Sequence, residues 1–443
     1  MTTPRQSALN QLDGNAVNRR HWLKLMAGAG LSAAMIHGNA FAATTVTGAS
    51  NNILLYSGWA THNIGDIGHT PGTLRYLEQY LPEAKVSCWL RKSNDAVLAM
   101  LQKRFPKVTF VQGTLDGAGR ASTPELQTAF DSARLFLYNS GMHFTRYWQP
   151  PSGLVKTCLA KGKRVGLYGQ SFDGFRDEDA ATLPGLLSQV SFIFTRDTES
   201  LLFLRSQGVK PPVLEFGPDG CFGIDVRDDA KADAFVKEHG LEPRKFLAVI
   251  LRTDREVGAN KDKPDAADAV AGGPDMWAAK LREVITEFVK RPGYKVVLVP
   301  EVEKEIGPAK KMLLDPLPEE LRAKVVHRDH FWNSDEAVSL YAKAFALVAV
   351  EPHSCIMALA NGTPAIHFFT RKHGYKAWMF RDIGLSEWLI DIDTEPAERV
   401  TLTLNLIHNN YDLALSKTKR AMDFVNARSK EMMGDVGRAL KAG

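Results

Sequence analysis

AFALVAVEPHSCIMALANGTPAIHFF, residues 344–369, is the stretch whose reading decides the fold. Its first part, Phe345 to Val350, is an apolar run too short for a typical helix and rich enough in Val and Leu to be a strand buried on both faces. Glu351-Pro352-His353-Ser354 breaks that run, and Cys355 to Ala360 resumes it with apolar residues at helical spacing. Asn361-Gly362 is a stop that tolerates left-handed backbone, and Thr363-Pro364 leads into another apolar run, Ala365 to Phe369. Strand, polar turn, helix and strand in this order make a unit whose strands share a parallel sheet through a right-handed crossover. Ligands of such sheets sit beyond the carboxyl ends of the strands, where Glu351, His353 and Ser354 stand. The helix behind them is expected to turn unpaired N–H groups and the positive end of its dipole toward an anion. His353 is therefore the first candidate site residue.

The same alternation extends in both directions. Upstream in the second half, Lys245 to Leu251 reads as a buried strand breaking at Arg252, Trp277 to Lys290 as an amphipathic helix, and Tyr294 to Val299 as a strand ending in Pro300-Glu301. Between them Glu256 to Asp275 lacks periodicity and reads as a surface loop. In the first half, strands are expected at Asn52 to Ser57, Lys85 to Leu90, Val108 to Val111, Arg134 to Tyr138, Arg164 to Tyr168, Phe192 to Thr195 and Val213 to Phe216. Helices fall between them, so each half is an α/β domain with a doubly wound parallel sheet. We place the first domain at 43–227, the second at 228–395 and a helical segment packing back at 396–443. The two halves are expected to face each other across a cleft.

Polar residues recur just past the strands: His62, Asn139, His143, Gln170 and Ser171. After the first strand, Gly58 to His69 is a Gly-rich polar loop before a helix at Thr73 to Tyr80, neither a P-loop nor a dinucleotide fingerprint. Its Asn63 and Asp66 either bind a ligand or cap the following helix. Arg196, at the end of a strand, either serves as a fixed cation toward the cleft or pairs with Asp197 and Glu199.

With 443 residues, 44% of them hydrophobic, the chain has room for two well-packed domains. A net charge of +5 is too small at this length to point to nucleic acid. Cys88, Cys158, Cys221 and Cys355 lack paired spacing, so a zinc site is not expected, and all four sit in apolar contexts that suit buried free thiols. Residues 1–42 resemble a twin-arginine (Tat) export signal: Arg19-Arg20 precedes an Ala/Gly-rich apolar segment, Leu25 to Ile36, and Ala40-Phe41-Ala42 supplies small residues for cleavage. A mature, exported or periplasmic chain from about Ala43 is expected, with the Tat translocon as its partner in export. No stretch is long and apolar enough for a stable membrane span.

Taken together, Asn63-Ile64-Gly65-Asp66, the run Thr195 to Leu201 (TRDTESL), Pro218-Asp219, the stretch around His353, and Tyr375-Lys376 resemble, in order, the motifs of the polysaccharide pyruvyl transferase family. The resemblance covers nearly the whole mature chain and implies a two-domain transferase of GT-B type. It further implies transfer of a pyruvyl ketal from phosphoenolpyruvate to a cell-surface saccharide, without cofactor or metal. His353 is then the general acid or base, suited by an imidazole's reference pKa of about 6.5. Asn63, Asp66, Arg196, Arg252, Ser354 and Lys376 are the implied substrate-binding residues. One position departs: where the family has Arg two residues before the His, this chain has Glu351, and a carboxylate cannot replace a guanidinium in holding phosphate or carboxylate. Arg196, Arg252, Arg371 and Lys376 are the cations available to compensate. Two other readings stand beside this one, a glycosyltransferase using a sugar nucleotide and a non-catalytic exported saccharide-binding protein.

Overall fold

The structure, a computed structural model, describes residues 51–253 and 273–442. The expected export signal lies outside these residues. So do residues 256–272 of the expected surface loop, whose Pro274 and Asp275 belong instead to the helix Pro274–Phe288.

Two wholly parallel, doubly wound sheets carry the described chain. The first contains β1 (Asn52–Ser57), β2 (Lys85–Leu90), β3 (Thr109–Val111), β4 (Leu135–Tyr138), β5 (Arg164–Gln170), β6 (Phe192–Thr195) and β7 (Leu214–Phe216), in the order β3-β2-β1-β4-β5-β6-β7. The second contains β8 (Phe246–Ile250), β9 (Lys295–Leu298), β10 (Val325–His327), β11 (Ala346–Ala349), β12 (Ala365–Phe369) and β13 (Leu389–Asp391), in the order β10-β9-β8-β11-β12-β13. Strand β11 is central, with Leu347 opposite Ala248 on one side and Ala365 on the other. Every residue of β8, β11 and β12 is buried, which is why these strands read as continuous apolar runs rather than alternating ones. Strand order reverses between β1 and β4 and again between β8 and β11, so each sheet has a switch point where loops diverge.

The helix after β1 differs from its expected extent. It spans Ile64–Tyr80, so the second half of the Gly-rich stretch read as a loop is helical, and Asn63 caps it by accepting from the N–H groups of Gly65 and Asp66. Gly65, Gly68 and Gly72 fall at i, i+3 and i+7, on one helical face. A Cβ at Gly65 would stand 2.8 Å from the His353 ring, one at Gly68 2.6 Å from Met357 Cε, and one at Gly72 inside contact distance of the Gly220 carbonyl. Glycine costs a helix about 1 kcal/mol relative to alanine, and here that cost is offset by close approach to the Pro352–Ala360 helix and the Gly220–Gly223 turn.

After β13 the chain forms two helices. Ala397–Asn409 packs on Pro274–Phe288 in the second half, and Tyr411–Lys441 returns to the first. Arg428 Nε donates to the Phe216 carbonyl at 2.7 Å, and Val425, Met432, Met433, Val436 and Leu440 are buried. Cys88, Cys158, Cys221 and Cys355 are buried free thiols; burial pushes that of Cys158 up to about 12. Among the described residues no helix is long and apolar enough to cross a membrane.

Candidate active site

The loops that leave the two sheets at their carboxyl ends are joined directly. Ile64 N–H donates to the Glu301 carbonyl and Glu303 N–H to the His62 carbonyl, both at 2.9 Å, with Asn63 bridged to Val302. This docks the segment after β1 on the segment after β9. His353, two residues past the β11 turn in the first turn of the Pro352–Ala360 helix, lies at that junction. Its Nε2 is 3.5 Å from Arg196 Nη1 and 4.0 Å from Asp219 Oδ2, and its Nδ1 is 3.5 Å from Glu301 Oε1. The ring of His69 meets it edge-on at 4.8 Å between centroids. The imidazole thus stands among groups delivered by the ends of β6, β7, β9 and β11.

Arg196 pairs with neither of the partners its sequence neighbours offered. Its Nη1 donates to Asp219 Oδ2 at 2.7 Å and its Nε to Ser171 Oγ at 2.8 Å, while it is 2% exposed. Asp197 instead caps the Thr198–Ser206 helix through Ser200 N–H and accepts the Ser171 hydroxyl; Glu199 binds Arg381. Asp219 also takes His69 Nδ1 at 2.9 Å and the Cys221 N–H at 2.7 Å, so both of its oxygens are engaged. Burial opposes ionisation of Asp219, but His69 and Arg196 outweigh it and hold the carboxyl well below its usual range. Burial pushes His69 down, against the pull of the Asp219 carboxylate beside its Nδ1.

A second group of charges centres on Glu351. Lys376 Nζ donates to Glu351 Oε2 at 3.1 Å, and Arg252 Nη1 is 3.2 Å from Glu351 Oε1. Arg252 Nε is 3.7 Å from Glu305 Oε1, and His373 Nε2 is 3.5 Å from Glu351 Oε1. Burial would raise the Glu351 carboxyl; Lys376, Arg252 and His373 more than offset it, and the group is held well below its usual range. Arg371 is apart from this cluster, largely exposed and bound to Asp391.

Ser354 donates both its N–H and its hydroxyl to Glu301 Oε2, each at 2.7 Å. The helix start expected to receive an external anion therefore already holds one of the protein's own carboxylates, delivered by the segment after β9. Asn63 is spent on its helix cap, and the carboxylate of the half-buried Asp66 makes no hydrogen bond or ion pair among the described residues. Of the candidates, then, His353, Arg196, Arg252, Ser354 and Lys376 belong to one buried network, and Asn63 fixes the helix that packs on it. The residues after β4 and β5 serve the same network: Asn139 Nδ2 donates to Ser57 Oγ at 2.9 Å and to the His69 carbonyl at 3.0 Å, and Gln170 donates to the Asn139 carbonyl. His143 packs on Trp59 at 4.3 Å, its pKa lowered to about 3 by burial, whereas His62 is exposed.

Sequence reasoning assigned no site role to His69, Glu301, Glu305 or His373, and took Asp219 only as part of the Pro218-Asp219 motif. The available signal for Asp219 and Glu301 was position, each following a proline just past a strand. His69 lay in a stretch read as loop. A groove of about 720 Å³ between helices Pro274–Phe288 and Ala397–Asn409 has none of these residues in its lining. The network is a closed junction, not an open bowl.

Among solved structures the chain is similar to the UDP-GlcNAc 2-epimerase of Neisseria meningitidis bound to UDP-GlcNAc, at 10% identity over 87% of this chain and 100% of that one, TM-score 0.52. It is similar also to Anabaena Alr3699/HepE in complex with UDP-glucose, at 10% identity over 88% and 99%, TM-score 0.53. The trehalose 6-phosphate synthase of Burkholderia multivorans matches at 8% identity over 89% and 99%, TM-score 0.53. At such identities the likeness is one of fold, a GT-B-like pair of Rossmann-like domains. No curated protein matches the chain. A family model described as polysaccharide pyruvyl transferase matches residues 63–372. That match runs from the Asn63 cap past β12 and takes in the whole network around His353 except Ser57, His373 and Lys376, so the chain belongs to the polysaccharide pyruvyl transferase family.

Proposed function

We propose that the protein transfers the pyruvyl carbons of phosphoenolpyruvate to two hydroxyls of a cell-surface saccharide, forming a cyclic ketal. The observation that carries this reading is the placement of His353, with Arg196 and Asp219 at Nε2 and Glu301 at Nδ1, inside the segment the family model matches. Ketal formation needs a proton delivered to the methylene carbon as one hydroxyl adds to the neighbouring carbon. Phosphate then leaves as the second hydroxyl closes the ring. One diol proton ends in the new methyl group and the other on phosphate. His353 exchanges the first of these, relaying it from hydroxyl to carbon. Arg196 commits Nε and one Nη to Ser171 and Asp219, and a guanidinium's remaining donors suit the donor's anionic groups. Substrate reaches His353 when the halves part at the hydrogen bonds from Ile64 to Glu301 and from Glu303 to His62.

The test is incubation of the purified chain with phosphoenolpyruvate and diol-bearing saccharides, following phosphate by phosphorus NMR and the ketal methyl by proton NMR. Both products should appear together and vanish in His353→Gln. Unchanged turnover in that variant removes His353 from the mechanism.

A second reading, an exported saccharide-binding protein, is favoured by one observation: Arg252 and Lys376 are tied to Glu351. Export by the Tat route, with cleavage near Ala42, would also place the protein away from cytoplasmic phosphoenolpyruvate. Thermal stabilisation by glycans but not by phosphoenolpyruvate selects this reading; N-terminal sequencing of the protein recovered from the periplasm tests the export.

A further inference from the structure

We infer that Glu301, Glu351 and His353 form a binding site for one divalent first-row transition cation. A ligand atom from each of the three lies within 4.8 Å of the other two, and all three residues are buried. The two carboxylates are held alike. Glu301 is anchored through Oε2 by Ser354, and Glu351 through Oε2 by Lys376. Each is left with an Oε1 that accepts no hydrogen bond, although Arg252 Nη1 lies 3.2 Å from that of Glu351. Among the described residues Glu301 has no lysine or arginine within ion-pair distance; the nearest ring nitrogen is His353 Nδ1 at 3.5 Å. A carboxylate that is 1% exposed, with an oxygen lacking any donor and no fixed cation beside it, is costly unless a cation completes it.

The surroundings favour this set over its neighbour. His69, Asp219 and His353 also cluster, but Asp219 already spends Oδ1 on His69 and Cys221 and Oδ2 on Arg196, so a cation there would compete with bonds already made at whichever oxygen it took. In the chosen set the anchoring bonds to Oε2 survive and orient each Oε1, and Asp219 Oδ2 at 4.0 Å from His353 Nε2 stands behind the imidazole as carboxylates stand behind metal-bound histidines. Four carboxylates, Asp219, Glu301, Glu305 and Glu351, surround three fixed cations, Arg196, Arg252 and Lys376, so a divalent ion reverses a small excess of negative charge. Arg252, already 3.7 Å from Glu305, shifts toward it as the ion takes Glu351 Oε1. Ligand atoms about 2.1 Å from a common ion lie about 3 Å apart in octahedral geometry, so closure requires only small side-chain movements. Two carboxylates with one imidazole suit Mn²⁺, Co²⁺ or Zn²⁺ better than Mg²⁺. The site stands whether or not the transfer reaction does.

The test strips the full chain with chelator and titrates it with Mn²⁺, reading the loss of the free-ion EPR signal, and with Co²⁺, reading visible bands. One equivalent should bind. Affinity should fall at least about 100-fold in Glu301→Gln and in His353→Gln. Because loss of the Glu351 charge alone strands Lys376, Glu351 is tested as the double variant Glu351→Gln with Lys376→Met, and the same fall is expected. Circular dichroism checks that each variant is folded, and Arg371→Gln, a change at an exposed side chain apart from the cluster, should bind as the wild type does. Absence of binding up to roughly 1 mM ion overturns the assignment, as does undiminished affinity in the folded variants or an equal loss in Arg371→Gln.

Discussion

Glu301 and Ser354 meet through a single carboxylate oxygen: the backbone N–H and the hydroxyl of Ser354 each donate to Glu301 Oε2 at 2.7 Å. The contact ties the segment after β9 to the first turn of the helix that carries His353, and its charge opposes the helix dipole favourably. Tyr341 donates to the same hydroxyl at 3.2 Å. Ser354→Ala removes a buried hydrogen bond to a charged group and leaves the Tyr341 hydroxyl without its acceptor. We expect a loss of about 2 kcal/mol in urea unfolding. A change within about 0.5 kcal/mol would mean that the backbone N–H alone holds the carboxylate.

The glycines of the Ile64–Tyr80 helix separate stability from function. Gly65→Ala improves helix propensity by about 1 kcal/mol, but its methyl group meets the His353 ring, which must turn aside. Ligand binding or turnover at His353 should fall at least about tenfold, and because His353 Cβ, also 2.8 Å away, cannot rotate aside, stability should fall by about 1 kcal/mol. Gly72→Ala instead drives a methyl group into the Gly220 carbonyl, a backbone atom that cannot rotate away. It should destabilise the protein by about 3 kcal/mol or leave it insoluble. Two alanines seven residues apart on one face are thus predicted to fail in different ways, and equal thermal shifts would refute the packing argument.

The strand-turn-helix-strand unit around His353 was readable because β11 and β12 are buried on both faces, and a short apolar run broken by Glu-Pro-His-Ser has little other use in a parallel sheet. The same logic placed Arg196 and Arg252 at strand ends. What local reasoning could not supply was pairing. Arg196 finds Asp219 rather than its neighbours Asp197 and Glu199, and Ser354 finds Glu301 from 53 positions away, because sheet order and domain docking bring them together. The helical state of Gly65 to Gly72 was hidden for a related reason. Propensity counts glycine as a breaker, and only contact with His353, Met357 and Gly220 shows why its small size is required there.

Glu351 makes the sharpest stability prediction. Its carboxylate is 2% exposed and is the counter-charge for Lys376 and one of the counter-charges for Arg252. Glu351→Gln leaves the buried Lys376 ammonium without an anion and should cost about 3 to 5 kcal/mol. Adding Lys376→Met removes the stranded charge and should recover about half of that loss. A double-mutant cycle in urea measures the coupling directly. If the double variant is no more stable than Glu351→Gln alone, the pair is not the source of the penalty.

Asp197 gives the protein a pH dependence of the opposite sign to that of Asp219 and Glu351. Burial raises its carboxyl to about 6, although the Ser171 hydroxyl and the Ser200 cap favour the ionised form. The unfolded chain holds the same group near about 3.9, so the folded state binds the proton more tightly. Its contribution to stability is therefore fully present below about pH 4 and is lost as the pH rises through about 6. A separation of about two pKa units corresponds to about 3 kcal/mol at most. Asp219 and Glu351, both lowered, contribute stability above their unfolded values and lose it on acidification, so wild-type protein alone cannot reveal the Asp197 component. Asp197→Asn can. Asparagine caps a helix as well as aspartate and does not ionise, so the variant's stability relative to wild type should rise between pH 4 and 7 by about 2 to 3 kcal/mol. A difference that stays flat across that range in urea unfolding would show that Asp197 does not titrate there in the folded protein.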